Sequence, residues 1–287
     1  TDTDTDTDTD TDTDTDTDTS TEDLDGDGYT VADGDCDDDD VLVHPDRLDL
    51  CNGQDDDCDG AIDEDASIGQ MLVTVNAETG DVIRLDTETA ESEVISNLGS
   101  DASINSITVV DSTLTIAHTY APRALHEVDL CSGELDTIAE HSTGNACGMV
   151  WGTDGILWGV ETTYESLVQF DPEDGSVETV GTLDHWLGNC GMAYDCVTDT
   201  LWTLDAGTGD IFSIDPMTGL TMSTIHTRVR FEAAGLAYDP ANGAFLAVNG
   251  TELYSIVPST GETGFVGTVE GQDHLNSLSF HPECADD

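Results

Sequence analysis

The sequence predicts an all-β chain: a five-bladed β-propeller that follows a small Asp-rich loop module and a disordered or extended Thr-Asp tail. Three observations carry this prediction. Strand-sized apolar runs recur every 42 to 44 residues, acidic residues alternate around glycines and cysteines between residues 23 and 65, and residues 1–19 are a Thr-Asp repeat. The predicted domains are a low-complexity tether over 1–20, an Asp/Cys-rich module over 21–67 and the propeller over 68–287.

The repeat is the strongest fold signal. Similar strands open at five evenly spaced positions, namely Ile107, Met149, Met192, Leu236 and Leu278. Three further strand-sized runs follow in each unit, among them Leu72–Val75, Leu157–Val160 and Phe245–Val248. A period of 40 to 45 residues with four strands per repeat is typical of a β-propeller.

The two ends of the repeat region are complementary. The first unit, from Met71, lacks an opening strand, whereas the last opening strand, at 277–281, has no strands after it. We expect the C-terminal strand to join the first blade, because this closes a five-bladed ring and leaves no unpaired edge at the join.

The charge of the chain excludes several partners. Lys+Arg is 5 against 63 Asp+Glu, a formal net charge of -58. Such a chain is repelled by nucleic acid and by anionic membrane surfaces. No apolar run reaches 18 residues, so no direct membrane insertion is predicted. Adaptation to high salt is an alternative source of the acidity, but the carboxylates are ordered into motifs instead of being scattered.

The Thr-Asp repeat has no apolar residue to bury and one negative charge at every second position. It cannot offset its own ordering entropy, so we expect an extended tether. Two alternatives remain open: O-linked sugars on the threonines of a secreted stalk, and a weak cation-binding comb of aspartates along one side.

The Asp-rich module is predicted to bind metal. Its only cation is Arg47, so close carboxylates would repel strongly unless hard cations lie between them, and Ca²⁺ takes six to eight oxygen ligands. We expect two or more Ca²⁺ ions. The candidate ligands are Asp23, Asp25, Asp27, Tyr29 (through its carbonyl), Asp33, Asp35, Asp37, Asp39, Asp55, Asp57, Asp59, Ala61 (through its carbonyl), Asp63 and Glu64.

The loops depart from the EF-hand, which ends in a bidentate Glu at position 12. Counted from Asp23 and from Asp55, position 12 is Gly34 and Ala66. A third register from Asp35 lacks the glycine at position 6. The closing ligand would come from Asp33 or Asp35 in the first loop and from Glu64 or Asp65 in the second.

The ordered Asp, Cys and Gly positions resemble a known bacterial motif. The matching positions are Asp23 to Tyr29, Asp35 to Asp38, His44-Pro45, Cys51 to Gly53, Asp55 to Gly60 and Asp63-Glu64. They resemble the MopE-type metal-binding motif of surface and secreted proteins, over about 45 residues, with departures at Asn52, Asp56 and Arg47. The family name is tied to copper, yet copper prefers imidazole and sulfur ligands. The module offers one His and no Met, so we expect calcium.

The eight cysteines predict disulfides in an oxidising compartment, since no C-x-x-C pair is present. The candidates are Cys36, Cys51, Cys58, Cys131, Cys147, Cys190, Cys196 and Cys284. Cys147 and Cys190 occupy the same place in neighbouring repeats and are the preferred pair. Cys190 and Cys196 flank one strand, about 20 Å apart, too far for a bond. Three cysteines in the module and five in the propeller require at least one bridge between them.

The propeller sequence offers few catalytic candidates. Loops before the opening strands carry His185, His274 and several asparagines, namely Asn105, Asn145, Asn189 and Asn276, which are suited to a sugar or a metal. Recurring aromatics, Trp151, Trp158, Trp202, Tyr194 and Tyr238, are predicted to be inter-blade core. The remaining propeller histidines, His118, His126, His141 and His226, are predicted to be ordinary packing or surface residues.

Two function classes follow. The favoured one is an exported, non-catalytic calcium-binding surface or matrix protein, whose propeller recognises carbohydrate or a surface protein or assembles into a homopolymer. The alternative is a propeller hydrolase or lyase acting on polysaccharide or lactone, with the module as a calcium-stabilised spacer. The chain begins at Thr1 without Met or a signal peptide, so we expect a processed or trimmed form. We expect the protein at the cell surface or outside the cell, with lipid anchoring through an upstream segment as a further expectation.

Overall fold

The computed structural model describes residues 21–47, 49, 51, 53–63, 72–100, 103–110, 114–231 and 235–280. The chain divides into two compact units, unit 1 with Thr1–Arg47 and Asp55–Ile62, and unit 2 with Leu48–Gln54 and Asp63–Asp287. The predicted Thr-Asp tether lies outside the described residues. In the described ranges, no helix has the length and apolar character needed to span a membrane.

The regular secondary structure described in unit 2 is made of β-strands. In chain order they are β1 (Leu72–Asn76), β2 (Asp81–Leu85), β3 (Ser92–Asn97), β4 (Ile104–Val109), β5 (Thr115–Tyr120), β6 (Arg123–Val128), β7 (Leu135–Glu140), β8 (Ala146–Trp151), β9 (Leu157–Glu161), β10 (Ser166–Phe170), β11 (Val177–Thr182), β12 (Cys190–Asp195), β13 (Thr200–Asp205), β14 (Asp210–Ile214), β15 (Thr221–His226), β16 (Gly235–Asp239), β17 (Ala244–Asn249), β18 (Glu252–Ile256), β19 (Thr263–Thr268) and β20 (Leu275–Phe280).

These strands form five antiparallel four-stranded sheets, which confirms the predicted five-bladed propeller. Four blades take consecutive strands, and the first blade has the order β20-β1-β2-β3. The C-terminal strand therefore closes the ring, with Thr74 opposite Leu278 and Leu72 opposite Phe280. Closure by pairing two ends of the repeat region leaves no unpaired edge at the join.

The outermost strand of each blade is more exposed than the innermost one. Every residue of β12 is buried, whereas most of β15 is exposed. The core lies between neighbouring blades, where apolar side chains of facing sheets pack together. Trp158 and Tyr194 are buried in one such cluster, which confirms the predicted inter-blade role for these two aromatics.

Small residues let the five innermost strands approach one another. The residue just before each repeated Met, Leu or Ile is Ser106, Gly148, Gly191, Gly235 or Ser277. A Cβ on Gly148 would lie 2.8 Å from the Met192 nitrogen, and the Ser106 hydroxyl accepts the Met149 N–H at 3.0 Å. The close-packed axis therefore requires glycine or a serine that bonds to the next blade.

Disulfides join separate parts of the chain in both units. In unit 2, Cys147 pairs with Cys190, the preferred pair from the sequence, and links β8 to β12 of the next blade. Also in unit 2, Cys51 pairs with Cys131, which ties the predicted module segment to the propeller. Cys196 is disulfide-bonded as well, and Cys284 lies outside the described residues.

Candidate metal centre

The first acidic loop of unit 1 is folded around its own carboxylates. The two oxygens of Asp23 accept the N–H groups of Gly26 at 2.6 Å and Gly28 at 3.0 Å. Asp25 accepts the Asp27 N–H at 3.1 Å. Gly28 has a φ of 101°, a backbone conformation that favours glycine. The loop thus turns its aspartates inward, and oxygens of Asp23, Asp25 and Asp27 lie within 4.8 Å of one another.

The second loop repeats this pattern 32 residues later. Asp55 accepts the Gly60 N–H at 3.0 Å, and Asp57 accepts the Asp59 N–H at 3.1 Å. Gly60 has a φ of 99°, close to that of Gly28. Asp59 accepts the Ala61 N–H at 2.9 Å, as Asp27 accepts that of Tyr29 at 2.7 Å. The same sequence spacing therefore gives the same backbone cradle twice.

Four carboxylate oxygens of unit 1 are buried without a described hydrogen-bond donor. They are the Oδ2 atoms of Asp25, Asp27, Asp35 and Asp38. Asp35 is 3% exposed and Asp38 is 7% exposed, and buried polar atoms are normally paired. Burying unpaired carboxylate oxygens is costly unless a cation neutralises them. These oxygens thus fit an oxygen-binding metal ion.

Burial and neighbouring carboxylates change the pKa of Asp25. Burial raises the pKa of Asp25, and the charges of Asp27, Asp35 and Asp23 raise it further, against one lowering hydrogen bond from the Asp27 N–H. Like charges held this close disfavour each other's ionised form. A bound divalent cation reverses this effect, because it stabilises every ionised ligand.

The structure separates the two candidates for the closing ligand of the first loop. Asp33 ends the short 3-10 helix Val31–Asp33, and its carboxylate accepts the Thr30 hydroxyl at 2.7 Å on the exposed surface. Asp35 is buried, and its charge acts on Asp25. Of the two candidates, Asp35 is therefore the buried one whose charge acts on Asp25, while the group of oxygens within 4.8 Å of one another belongs to Asp23, Asp25 and Asp27.

Other predicted ligands lie differently. Asp37 and Asp39 are exposed. The Asp63 carboxylate accepts the Gly53 N–H at 3.1 Å, and Glu64 lies outside the described residues. Asp38, which the sequence reasoning missed, is buried and accepts the Leu24 N–H at 3.4 Å. Its place in a run of four aspartates gave no alternation signal that distinguishes it from its neighbours.

A disulfide and a ring stack fix the two loops within unit 1. Cys36 follows Asp35, and it is bonded to Cys58, which lies between two aspartates of the second loop, with 5.7 Å between the Cα atoms. The Tyr29 ring stacks on His44 at 4.9 Å, and its hydroxyl donates to Asp46. The hydrogen bond to Asp46 raises the pKa of Tyr29, as do burial and nearby carboxylates.

A family model matches this part of the chain. Residues 35–64 match the Cu-binding MopE model, described as "Putative metal-binding motif". The match covers the MopE-type motif from Asp35 through the second loop. The first loop precedes the match but has the same hydrogen-bond pattern. Within unit 1 the motif offers one imidazole, His44, whose buried Nδ1 has no described partner, against many carboxylates. The donor set is therefore dominated by oxygen.

Three of the solved structures that are similar to the chain illustrate the range of similarity. A chain of the nidogen/laminin complex is 12% identical, covers 74% of this chain and 98% of its own length, and gives a TM-score of 0.52. A protein of unknown function from Bacteroides thetaiotaomicron is 13% identical. The alignment covers 76% of this chain and 66% of that protein's chain, and the TM-score is 0.53. Virginiamycin B lyase from Staphylococcus aureus is 13% identical, and the alignment covers 81% of this chain and 80% of the lyase chain, with a TM-score of 0.44. No curated protein matches the chain by sequence. These identities show the fold alone.

The catalytic candidates in the propeller are paired with local acids. His185 lies 2.9 Å from the Asp184 carboxylate, with its ring 4.3 Å from Phe212. His274 lies 3.3 Å from Glu78 and forms a group of three potential ligands with Glu78 and Asp273, all of them exposed. In the described part of the chain, no hydrogen bond or ion pair joins His185 to His274.

The amides at the strand entries meet across blades. The Asn105 side chain donates to the Asn145 side chain, and the Asn276 side chain donates to the Asn105 carbonyl at 3.4 Å. Asn189 is also engaged in an interaction. The rings of His118 and His141, two of the histidines predicted to be ordinary packing or surface residues, lie 5.0 Å apart. Sequence spacing gave no sign of this contact, because it depends on strand register.

Proposed function

We propose that unit 1 is a calcium-organised module that binds at least two Ca²⁺ ions, one in each acidic loop. Asp23, Asp25, Asp27 and Asp35 would hold the first ion, together with the Tyr29 carbonyl. Asp55, Asp57 and Asp59 would contribute to the second, together with the Ala61 carbonyl. Among the described residues of unit 1, Arg47 is the one Lys or Arg side chain. The bound ions would therefore supply most of the positive charge that neutralises the carboxylates.

One observation carries this proposal. Four carboxylate oxygens are buried with no described donor, and the charges of two of these aspartates, Asp27 and Asp35, act on a third, Asp25. The other oxygen of each of these carboxylates, Oδ1, accepts a backbone N–H. The inward oxygens are those that a cation would bind.

Calcium suits this donor set better than the alternatives. Ca²⁺ takes six to eight oxygens in flexible geometry, whereas Mg²⁺ demands six in a tight octahedron and retains waters. Copper prefers imidazole and sulfur, and His44 alone offers nitrogen in this segment. A loop that folds around several aspartates and backbone carbonyls favours the larger ion.

The test is thermal unfolding with calcium and with a chelator. Calcium that binds only the folded state raises the unfolding midpoint. At a free calcium concentration 100 times Kd, the added free energy of unfolding is about 2.7 kcal/mol. We expect the unfolding transition of unit 1 to depend on calcium. The transition can be monitored through the near-UV signal of Tyr29, whose ring stacks on His44. An identical transition in chelator and in calcium would contradict the proposal.

We further propose that the chain is exported and that its propeller serves recognition or assembly without catalysis. The disulfides support an oxidising location, and calcium is abundant outside cells. Surface labelling of intact source cells, with fractionation, tests this location, and the mass of the mature chain tests the proposed lipid anchor. Labelling of the protein only in broken cells would contradict the proposed location.

Exposed aromatics support the recognition role. Tyr120, Tyr164 and Trp186 are 53%, 71% and 70% exposed. Tyr120 ends β5, and the other two residues follow β9 and β11. These three strands run in the same direction within their blades, so all three residues lie at one end of the propeller. Aromatic faces of this kind suit carbohydrate or protein partners. Alanine at Tyr164 and Trp186 should abolish binding to a glycan or surface protein identified by array, while exposed Met217, at the opposite end, serves as the control position.

A further inference from the structure

Three basic side chains share one face of the second blade. The pairing of β5 with β6 sets His118 opposite Leu125 and Tyr120 opposite Arg123. Because side chains two residues apart point to the same face, His118 and Arg123 lie on one face of the sheet. The His141 N–H donates to the Arg123 carbonyl at 3.0 Å, which places His141 beside Arg123 at the end of β7. We call His118, Arg123 and His141 the basic cluster.

Each imidazole of the basic cluster has at least one buried ring nitrogen without a described hydrogen-bond partner. His118 is fully buried, and neither of its ring nitrogens has a described partner. His141 bonds through Nδ1 to the Thr143 hydroxyl at 2.5 Å, but its buried Nε2 has no described partner. His126 provides the contrast, because its two nitrogens contact threonine hydroxyls at 3.0 and 3.2 Å. Unpaired nitrogens are thus a property of the cluster, not of histidines in this blade.

No described carboxylate forms an ion pair with a member of the basic cluster, although the chain has 63 acidic residues. The charged groups that act on His118 are all basic, and they keep its imidazole neutral together with burial. Phe170 of the third blade packs 6.0 and 5.6 Å from the two imidazoles and shields them from water.

We propose that the basic cluster binds a small oxyanion, a sulfate, phosphate or carboxylate group, between the second and third blades. The Arg123 guanidinium supplies the charge and a fork of donors that matches an oxyanion. Each neutral imidazole carries one N–H to donate. A metal ion suits the site less well, because Arg123 would repel it. This site is independent of the calcium proposal and goes beyond it.

A surface groove borders the basic cluster. His141 is the member of the cluster that lines this groove, together with Glu140, Thr143 and Asp174. The Asp174 carboxylate accepts the Ser176 N–H at 2.8 Å, so it is held by its own turn. The oxyanion can therefore be a free ion or the acidic group of a larger molecule that lies in the groove.

The experiment is a sulfate titration of the full calcium-loaded chain, labelled with ¹³C at the histidine rings, at constant ionic strength. We expect the ring signals of His118 and His141 to shift saturably, while that of exposed His226 stays unchanged. Arg123→Gln should weaken the affinity by about 10-fold or more, and Arg123→Lys should weaken it less, because a charged hydrogen bond contributes well over 1 kcal/mol. Acetate and a uronic-acid oligomer, used as competitors, distinguish a free ion from an acidic group on a polymer.

Several outcomes would overturn the proposal. One is the absence of any saturable ring shift with sulfate and acetate in the wild-type chain, which requires no variant to fold. Another is an unchanged sulfate affinity in a folded Arg123→Gln chain. A third is a zinc titration that shifts the same two rings and becomes tighter in Arg123→Gln, which would make the basic cluster a metal site.

Discussion

Asp25 and Asp35, ten residues apart in the chain, each have a buried Oδ2 atom without a described donor, and the charge of Asp35 raises the pKa of Asp25. The cause is the loop between them, which turns at Gly28 and Gly34 through positive φ angles. Two carboxylates brought together in this way need a cation between them. This relationship is the structural core of the calcium proposal.

The first prediction separates buried from exposed aspartates in one short segment. Asp35→Asn and Asp38→Asn should each weaken calcium binding, by about 10-fold or more for Asp35, because affinity follows the charge of the ligand set. Asp39→Asn, at an exposed neighbour, should leave the affinity unchanged. Calcium titration calorimetry of the three variants measures this. Equal losses in all three would point to general electrostatic attraction and against a built site.

The second prediction concerns the propeller axis. Gly235→Ala should destabilise unit 2 by about 1–3 kcal/mol through overpacking, because the added Cβ would lie 2.6 Å from the Leu278 nitrogen. Gly207→Ala is the control, since its Cβ would meet nothing closer than 3.6 Å and its φ is not positive. Denaturant unfolding measures both. A Gly235→Ala chain as stable as Gly207→Ala would refute the close approach of the innermost strands.

The third prediction is an acid-sensitive contact between blades. Burial lowers the pKa of His118 to about 3, and the positive charges of His141, His126 and Arg123 contribute. The unfolded chain therefore binds this proton first, near pH 6.5, so the stability from neutral His118 is complete above that pH and is lost as the pH falls toward 3. The expected loss is about 2 kcal/mol at pH 5.

His118→Leu tests this prediction, because it removes the titrating ring and keeps a large apolar side chain. The stability of His118→Leu should depend less on pH between 6.5 and 4 than that of the wild type, measured by denaturant unfolding without sulfate. His226→Gln, at an exposed ring, should follow the wild type. The same acid slope in His118→Leu and in the wild type would contradict the account.

The fourth prediction concerns the turn between β2 and β3. Asp86 accepts the Thr89 hydroxyl at 2.8 Å and the Thr89 and Glu88 N–H groups at 2.7 and 2.9 Å, and the bond from the Thr89 hydroxyl is the main reason that the pKa of Asp86 is lowered. Asp86→Ala should cost about 1 kcal/mol at neutral pH. The lowered pKa means that this stability is present above pH 3.8 and is lost below it. Glu88→Gln, at an exposed side chain, is the control, and an equal effect of both changes would contradict the role of Asp86.

The periodic features of the fold could be predicted from the sequence. Repeated strands such as those at Met149 and Met192 identified the blades, and the unpaired strand at Leu278 predicted the ring closure that β20 and β1 show. Equivalent positions in neighbouring repeats also predicted the Cys147–Cys190 bond. Periodicity succeeds here because each blade buries the same positions against the next.

Features that depend on register between distant strands could not be predicted. His118 and His141 are 23 residues apart with no common pattern, and only the pairing across β5, β6 and β7 brings them to one face. In the module, counting alternate aspartates named Asp35, Asp37 and Asp39, whereas the structure buries Asp35 and Asp38 and leaves the other two exposed. Irregular loops have no fixed side-chain period, so alternation cannot tell which carboxylates turn inward.

The central claim is tested most directly by calcium stoichiometry. We predict at least two Ca²⁺ ions per chain in the wild type, the loss of one ion in Asp25→Asn and the loss of a different one in Asp57→Asn, counted by calorimetric titration of the calcium-free chain. Asp39→Asn should keep the full number. A wild-type chain that binds no calcium, or loop variants that bind as many ions as the wild type with the same affinity, would contradict the account.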